Sequence, residues 1–507
     1  MLALIVIDCA EHSILQTLIT EGEMPALSSL AKRGLTVPLS SDGHALDGSV
    51  FQTFLTGVNP GKHGIHKYRQ LVPGTYDYQL SKAADSPVPQ IWNVLSERGR
   101  RCLVFDVPKA FPTPDFNGKL VASWGAYSPA ASPGSVPDRL FADVERKFGS
   151  HPMRIQKALP LTPREYKQAE QTLVGATRLR TDVCRWLLKD ANWDFFATTF
   201  SESHVAAHQF WQLRDPQHPL YDLESARQCG SAVENVYRAV DENLARLLEA
   251  LPEDAHLVVM TQQGVEHNYS GSRLLPKWLA MREGRKPRRN LLVGLDEVFG
   301  SRWRNLFRRS IPESLANRLV RRKFPANGKI FMLPGSEYGA LLRVNLRGRE
   351  PAGVVEPEAY HETLKLLVDD LQALRNPATG EPAVAEVQLT HQMYNGPRLD
   401  ELPDAIVCWR NDQPITALEC PRHGLLTEGI SFTDITHSMH TSQGMAVMPC
   451  PTIRHRKISA QHDIRNMTAT LYDLAHTDPP ADLEGTSLLA GHEVPCEMAN
   501  SGLSEMA

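Results

Sequence analysis

Short apolar runs separated by amphipathic stretches set the rhythm of this chain. ALIVID (3–8) is a continuous apolar run closed by a carboxylate, as expected of a parallel strand buried on both faces. MPALSSLAKRG (24–34) is amphipathic and closes on Gly34, a helix stop. GSVFQTFLTG (48–57) reads as another short helix, and RCLVFDVP (101–108) as a strand ended by proline. A long helix is expected from about Pro163 to Lys189, a buried strand at WDFFATTF (193–200), and helical spacing at HVAAHQFW (204–211). Residues 224–251 read as one long helix and AHLVVMT (255–261) as another buried strand. Alternation of this kind predicts an α/β fold, a parallel sheet with helices on both faces.

The pattern breaks from about 273 to 325, where Arg and Lys dominate, with Trp278 and Trp303 interleaved. This segment reads as a helical, basic insertion or cap. Its charges are either solvated helix faces or an attraction for an anionic substrate or partner. Strand and helix signals resume at YGALLRVNL (338–346), YHETLKLLVDDLQAL (360–374) and DAIVCW (404–409). The expected organisation is a core split into 1–272 and 336–490 around an insertion at 273–335, with a patternless, flexible tail at 491–507.

Composition narrows the function classes. The 507 residues include 42% apolar and 22% charged side chains, an ordinary globular balance that excludes a disordered, collagen-like or coiled-coil chain. No apolar run reaches the roughly 18 residues that span a bilayer. The N-terminal apolar run lacks a basic flank and stops at Asp8, so it reads as a strand rather than a secretion signal. The eight cysteines show no paired spacing, which fits a reducing compartment, and a cytoplasmic location is the expectation. A net charge of −4 argues against a dedicated nucleic-acid binder, although the basic segment leaves that partner open. Oligomeric state is not readable.

Candidate chemistry lies just after the expected strands, because ligands of open α/β sheets bind at strand carboxyl ends. Asp8 ends the first strand, Glu202, His204 and His208 follow the strand at 193–200, and Gln262 and Gln263 follow that at 255–261. His204 and His208 are four apart, so on a helix both imidazoles leave one face about one turn apart, a spacing that suits two ligands of one zinc. The same spacing is common in surface and core histidines. His437 and His440, in THSMHTSQG (436–444), offer a third imidazole. FLTGVNPGKHGIHKYR (54–69) is a constrained turn after a helix.

These strings, taken in order, resemble the alkaline phosphatase superfamily, and within it the type I phosphodiesterase/nucleotide pyrophosphatase branch. The resemblance runs from LIVID at Asp8 through MPALSSLAKRG, TGVNPGKHGI (56–65), FDVPKAFPTPDFNG (105–118), SESHVAAHQFW (201–211), VVMTQQG (258–264), RVNLRGREPAGVV (343–355) and THSMHTSQG to residues 464–489. It implies an alkaline phosphatase-like three-layer fold with a central, mostly parallel sheet. It also implies a two-metal hydrolase, usually with zinc, that acts on a small anionic ester through a Thr or Ser nucleophile at a helix N-terminus.

Carried over position by position, the resemblance makes Asp8, His208 and His440 metal ligands. The remaining positions depart. Asp47 stands where the family has its nucleophile, His204 where it has an aspartate, and Gln262-Gln263 where it has Asp-His. One site then becomes His204, His208 and His440, a zinc site with an open position. The other keeps Asp8, gains Asp47 and is weakened by two neutral amides, which bind zinc poorly and suit a harder cation such as Mg2+ or Mn2+ better. Three routes stay open: Asp47 attacks, Asp47 serves as base or ligand while a metal-activated water attacks, or Ser49 attacks from the same helix start. Glu202 is a candidate acid, base or partner of a ligand, and His267 a candidate replacement ligand. His63, Asn345, Arg347 and Arg349 are expected to be scaffold. The expected function is a metal-dependent hydrolase of a phosphodiester or related phosphate or sulfate ester. A non-catalytic binding protein and a mono-zinc enzyme on another substrate are the alternatives.

Overall fold

The computed structural model of the chain describes residues 1–126, 132–154, 161–190, 192–218, 220–286, 328–335, 339–427, 438–449, 456–458 and 460–489. Its main sheet contains β1 (Leu2–Ile7), β2 (Gly34–Ser40), β3 (Cys102–Phe105), β4 (Gly118–Ala122), β5 (Gly134–Val136), β6 (Phe195–Phe200), β7 (His256–Thr261), β8 (Gln443–Pro449), β9 (Arg456–Lys457) and β10 (His462–Asp463). The lateral order is β9-β2-β8-β7-β1-β6-β3-β4-β5, with β10 also on β2. The block from β7 through β4 is parallel. β8 lies antiparallel between β7 and β2.

Every residue of β1 is buried. Its alternate side chains divide between two cores, as a period-two strand inside three layers requires. Ala3, Ile5 and Ile7 pack with the helices Pro163–Leu188 and Ala232–Leu248, while Leu2, Leu4 and Val6 pack with Val50–Thr56 and Arg465–Leu474. Each such aliphatic side chain contributes about 1.5–3 kcal/mol by leaving water. The helix Pro163–Leu188 starts on a reciprocal cap between Thr162 and Glu165, with proline at its first position.

Two expectations are corrected. The helix expected over 224–251 is two, Leu223–Cys229 and Ala232–Leu248. Gly230 ends the first, where a Cβ would stand 2.6 Å from the Ala226 carbonyl oxygen, so only glycine fits that turn. The sequence reading also passed over β2 and β8. Pro38 disguises β2, but it sits opposite Met445 within an otherwise regular pairing.

A second, antiparallel sheet has the order Ile330–Met332, Ala340–Val344, Ala405–Trp409, Val384–Leu389. Its core includes Leu275, Trp278 and Leu279 of the helix Leu275–Arg282, so the start of the segment read as a basic insertion is apolar packing here. Most of that segment's Arg and Lys, at 287–327, and the expected tail lie outside the described residues. Leu341 and Ile406 of this sheet pack on Ala45 and Leu46, fixing the turn that carries Asp47. No helix among the described residues is long and apolar enough to cross a membrane.

Candidate metal centre

The parallel strands β7, β1, β6 and β3 end at one edge of the sheet. There they hand over to Gln262, Asp8, Ser201-Glu202 and Asp106. The helix Glu202–Phe210 begins directly after β6 and brings the rings of His204 and His208 to 4.8 Å between centroids. His440 arrives from far along the chain on a short pair, Val265–His267 against Ser438–His440. Its ring lies 5.1 Å from that of His204 and 4.9 Å from that of His208.

Two of the three imidazoles are oriented from behind. Nδ1 of His204 lies 3.0 Å from Asp8 Oδ2, and Nδ1 of His208 lies 2.8 Å from Ser438 Oγ. A proton held on Nδ1 by these oxygens places the lone pair on Nε2, the arrangement metal-binding histidines use. Nε2 of His208 is 3.3 Å from Nε2 of His440. Two nitrogens on one tetrahedral zinc, each at about 2.0–2.1 Å, stand about 3.3 Å apart. Burial, with His208, His204 and Lys67 alongside, holds His440 well below the usual imidazole range, in the neutral form a cation needs.

Asp8 faces inward among donors. Besides His204, its carboxylate accepts from Gln262 Nε2, and Cys9 Sγ lies 3.2 Å away. Nε2 of Gln263 bridges Cys9 Sγ at 3.1 Å and His440 Nδ1 at 3.3 Å. Among the described residues, the buried side-chain oxygens of Gln262 and Gln263 have no hydrogen-bond partner. Burial and the neighbouring Asp8 push the Cys9 thiol up.

Asp47 occupies the turn between the short helices Gly43–Leu46 and Val50–Thr56. One of its oxygens pairs with Lys67, whose side chain is 1% exposed, and Oδ2 lies 4.0 Å from His440 Nε2. Gly48 makes this pairing possible, because a Cβ there would stand 2.5 Å from Lys67 Cα. Lys109, on the turn after β3, is near enough for Asp47 to pull its ammonium up, against burial that brings it down to about 8. Ser49 is fully buried and donates its hydroxyl to the Leu46 carbonyl at 2.7 Å, back into its own turn.

Glu202 joins a buried ion-pair network. It accepts from Arg180 Nε at 3.0 Å and lies 3.0 Å from His151, while Arg180 also donates to Asp106 at 2.8 Å. Burial pushes the Glu202 carboxyl up, but Arg180 and His151 outweigh it and hold it at about 2. His267 stacks on Tyr269 at 4.3 Å, with its Nδ1 3.9 Å from Asp215. His63 is fully buried and joins Thr53 to the Ile65 amide, both at 3.0 Å, clamping the turn. Asn345 accepts from Tyr76, Arg347 pairs with Glu356 and Arg349 with Asp404. His437 lies outside the described residues. Cys9, Lys67 and Lys109 escaped the sequence reading. Only Cys9 carried a signal, its position directly after Asp8 at a strand end.

Residues 2–413 match the model of the type I phosphodiesterase / nucleotide pyrophosphatase family. The chain belongs to that family. Its fold is alkaline phosphatase-like. The alkaline phosphatase PafA matches at 11% identity, with 96% of this chain and 98% of that one covered and a TM-score of 0.52. The phosphonoacetate hydrolase of Sinorhizobium meliloti 1021, in complex with phosphonoacetate, matches at 14% identity, 94% and 95% coverage and a TM-score of 0.50. At such identities the likeness is one of fold. No curated protein matches the chain by sequence.

Phosphodiesterases of this family are metal-dependent, and the donor set here fits one ion better than two. Among the described residues, Cys9, His204 and His440 form the group whose ligand atoms all lie within 4.8 Å of one another, and His208 adjoins it. A second ion would find Asp8 already engaged by His204 and Gln262, the neutral Gln262 and Gln263, and Asp47 turned to Lys67. That set does not fit a second zinc.

Proposed function

We propose that the chain is a single-metal hydrolase of a small phosphate ester or closely related anionic ester. The observation that carries this reading is the convergence of His204, His208 and His440, with two Nε2 atoms 3.3 Å apart, at the carboxyl edge of the sheet. When bound there, a zinc ion supplies Lewis acidity and lowers the pKa of water. Asp8 and Ser438 hold two of the imidazoles in the ligating tautomer. Asp47 faces the same point with Oδ2 and is held in place by Lys67, which suits a general base that takes a proton from the attacking water. Lys67 and Lys109 supply positive charge for an anionic ester. Ser49 is the weakest nucleophile candidate, because its hydroxyl is committed to Leu46. Family membership supports the ester class.

The test uses chelator-stripped full-length protein reloaded with zinc and offered p-nitrophenyl phosphate and bis-p-nitrophenyl phosphate. The expected result is one zinc per chain, turnover of at least one ester, and loss of both in His208→Ala. One observation favours a second reading, a mono-zinc centre for another substrate: a carboxylate paired with lysine stands where the resemblance expects a hydroxyl nucleophile. Zinc binding with no phosphate- or sulfate-ester turnover would replace the first reading with that one. A protein that binds no metal and turns over nothing would refute both.

A further inference from the structure

We propose that the Cys9 thiolate is a further ligand of this metal, giving it a mixed sulfur–nitrogen sphere where the carboxylates of Asp8 and Asp47 are engaged by other side chains. The inference rests on the single-metal reading. The first support is distance. Sγ of Cys9 and one ring nitrogen each of His204 and His440 lie within 4.8 Å of one another. Three atoms so placed share a point no more than about 2.8 Å from each, and Zn–S and Zn–N bonds are about 2.3 and 2.0–2.1 Å, so side-chain movements of at most about 0.5 Å for the sulfur and about 0.8 Å for the nitrogens close the sphere.

The second support is backbone conformation. Cys9 has φ +52°, in the left-handed region that residues other than glycine seldom enter. It adopts it at the end of β1, beside Asp8. Asp8, Gln262 and Gln263, all members of the site, place polar atoms against its sulfur.

The third is charge. Three imidazoles are neutral ligands, the two glutamines are neutral, and the Asp8 carboxylate is engaged by His204 and Gln262. A thiolate supplies the missing negative charge and selects soft or borderline ions such as zinc and cobalt over Mg2+ or Mn2+. Three protein donors characterise open zinc sites and four closed ones. With Cys9 beside three imidazoles, water reaches the ion by expansion to five-coordination or in place of one donor.

Cobalt(II) titration of metal-stripped full-length protein tests the assignment. Wild type is expected to show visible ligand-field bands of the histidine site and a strong near-ultraviolet thiolate-to-cobalt band. Cys9→Ser should keep the former and lose the latter. X-ray absorption of zinc-loaded wild type should show one sulfur at about 2.3 Å, and it decides the matter if Cys9→Ser does not fold. Ligand-field bands without a sulfur band, or a sulfur band that survives in Cys9→Ser, would overturn this inference and leave the histidine centre standing. No cobalt or zinc uptake by wild type would bring down the inference and the single-metal reading together.

Discussion

Asp47 holds Lys67 with one carboxylate oxygen and faces His440 with the other. Removing its charge leaves a buried ammonium without its partner. A fully buried pair broken in this way costs about 3–5 kcal/mol; Asp47 keeps some exposure, so Asp47→Asn should lower unfolding free energy by about 2 kcal/mol in urea titrations. The same variant should lose about 10²- to 10⁴-fold in kcat if Asp47 is the base. Lys67→Met should lower kcat as well as raise KM, because it unpairs Asp47 and removes positive charge beside the site. Asp47 was legible only through spacing read against the family resemblance. Lys67 was not legible, since lysine is almost never fully buried and nothing in HGIHKYR announces that Gly48 lets it pass so close. Cys9 was hidden by reading thiols for paired spacings, when its meaning lies in the residue before it.

The helix Glu202–Phe210 presents His204 and His208 at the site and anchors itself from beneath through Glu202. Its position therefore depends on Arg180 and Asp106. The Glu202 carboxyl is held at about 2, below its ordinary 4.5. A carboxyl depressed on folding adds stability that is complete above about pH 4.5 and lost as pH falls towards 2. Urea unfolding at pH 7, 4 and 3 should show this acid loss in wild type and a flatter profile in Glu202→Gln. At pH 7 that variant should be less stable by about 3 kcal/mol or more, because Arg180 keeps an unmatched charge. Strands β1, β6 and β7 and the long helix after Thr162 were legible because apolar runs and a capping pair mark them. β2 was not, since proline inside a strand reads as a break until its partner strand is known.

For the whole molecule, an ion bound by native histidines and not by the unfolded chain stabilises the fold by mass action. Zinc at about 100 times its Kd should add about 2.7 kcal/mol, seen as a rise in thermal midpoint that His208→Ala abolishes. Differential scanning fluorimetry with and without chelator measures it. The layered architecture was legible from strand–helix alternation. The insertion of β8 between β2 and β7 was not, because it joins residues from opposite ends of the sequence.

The pairing that delivers His440 also orders events during synthesis. His440 follows His208 by 232 positions. At about 5–20 residues per second, the ribosome needs on the order of 10–50 s to make that interval. Within it β7 is made and can join β1 and β6, while the nascent chain presents two imidazoles and no third. The complete centre therefore cannot template the early fold, and full metal capture becomes a late step of maturation. A product released before residue 438 would keep the family's opening motifs and most of its sheet, yet be born unable to complete its metal site.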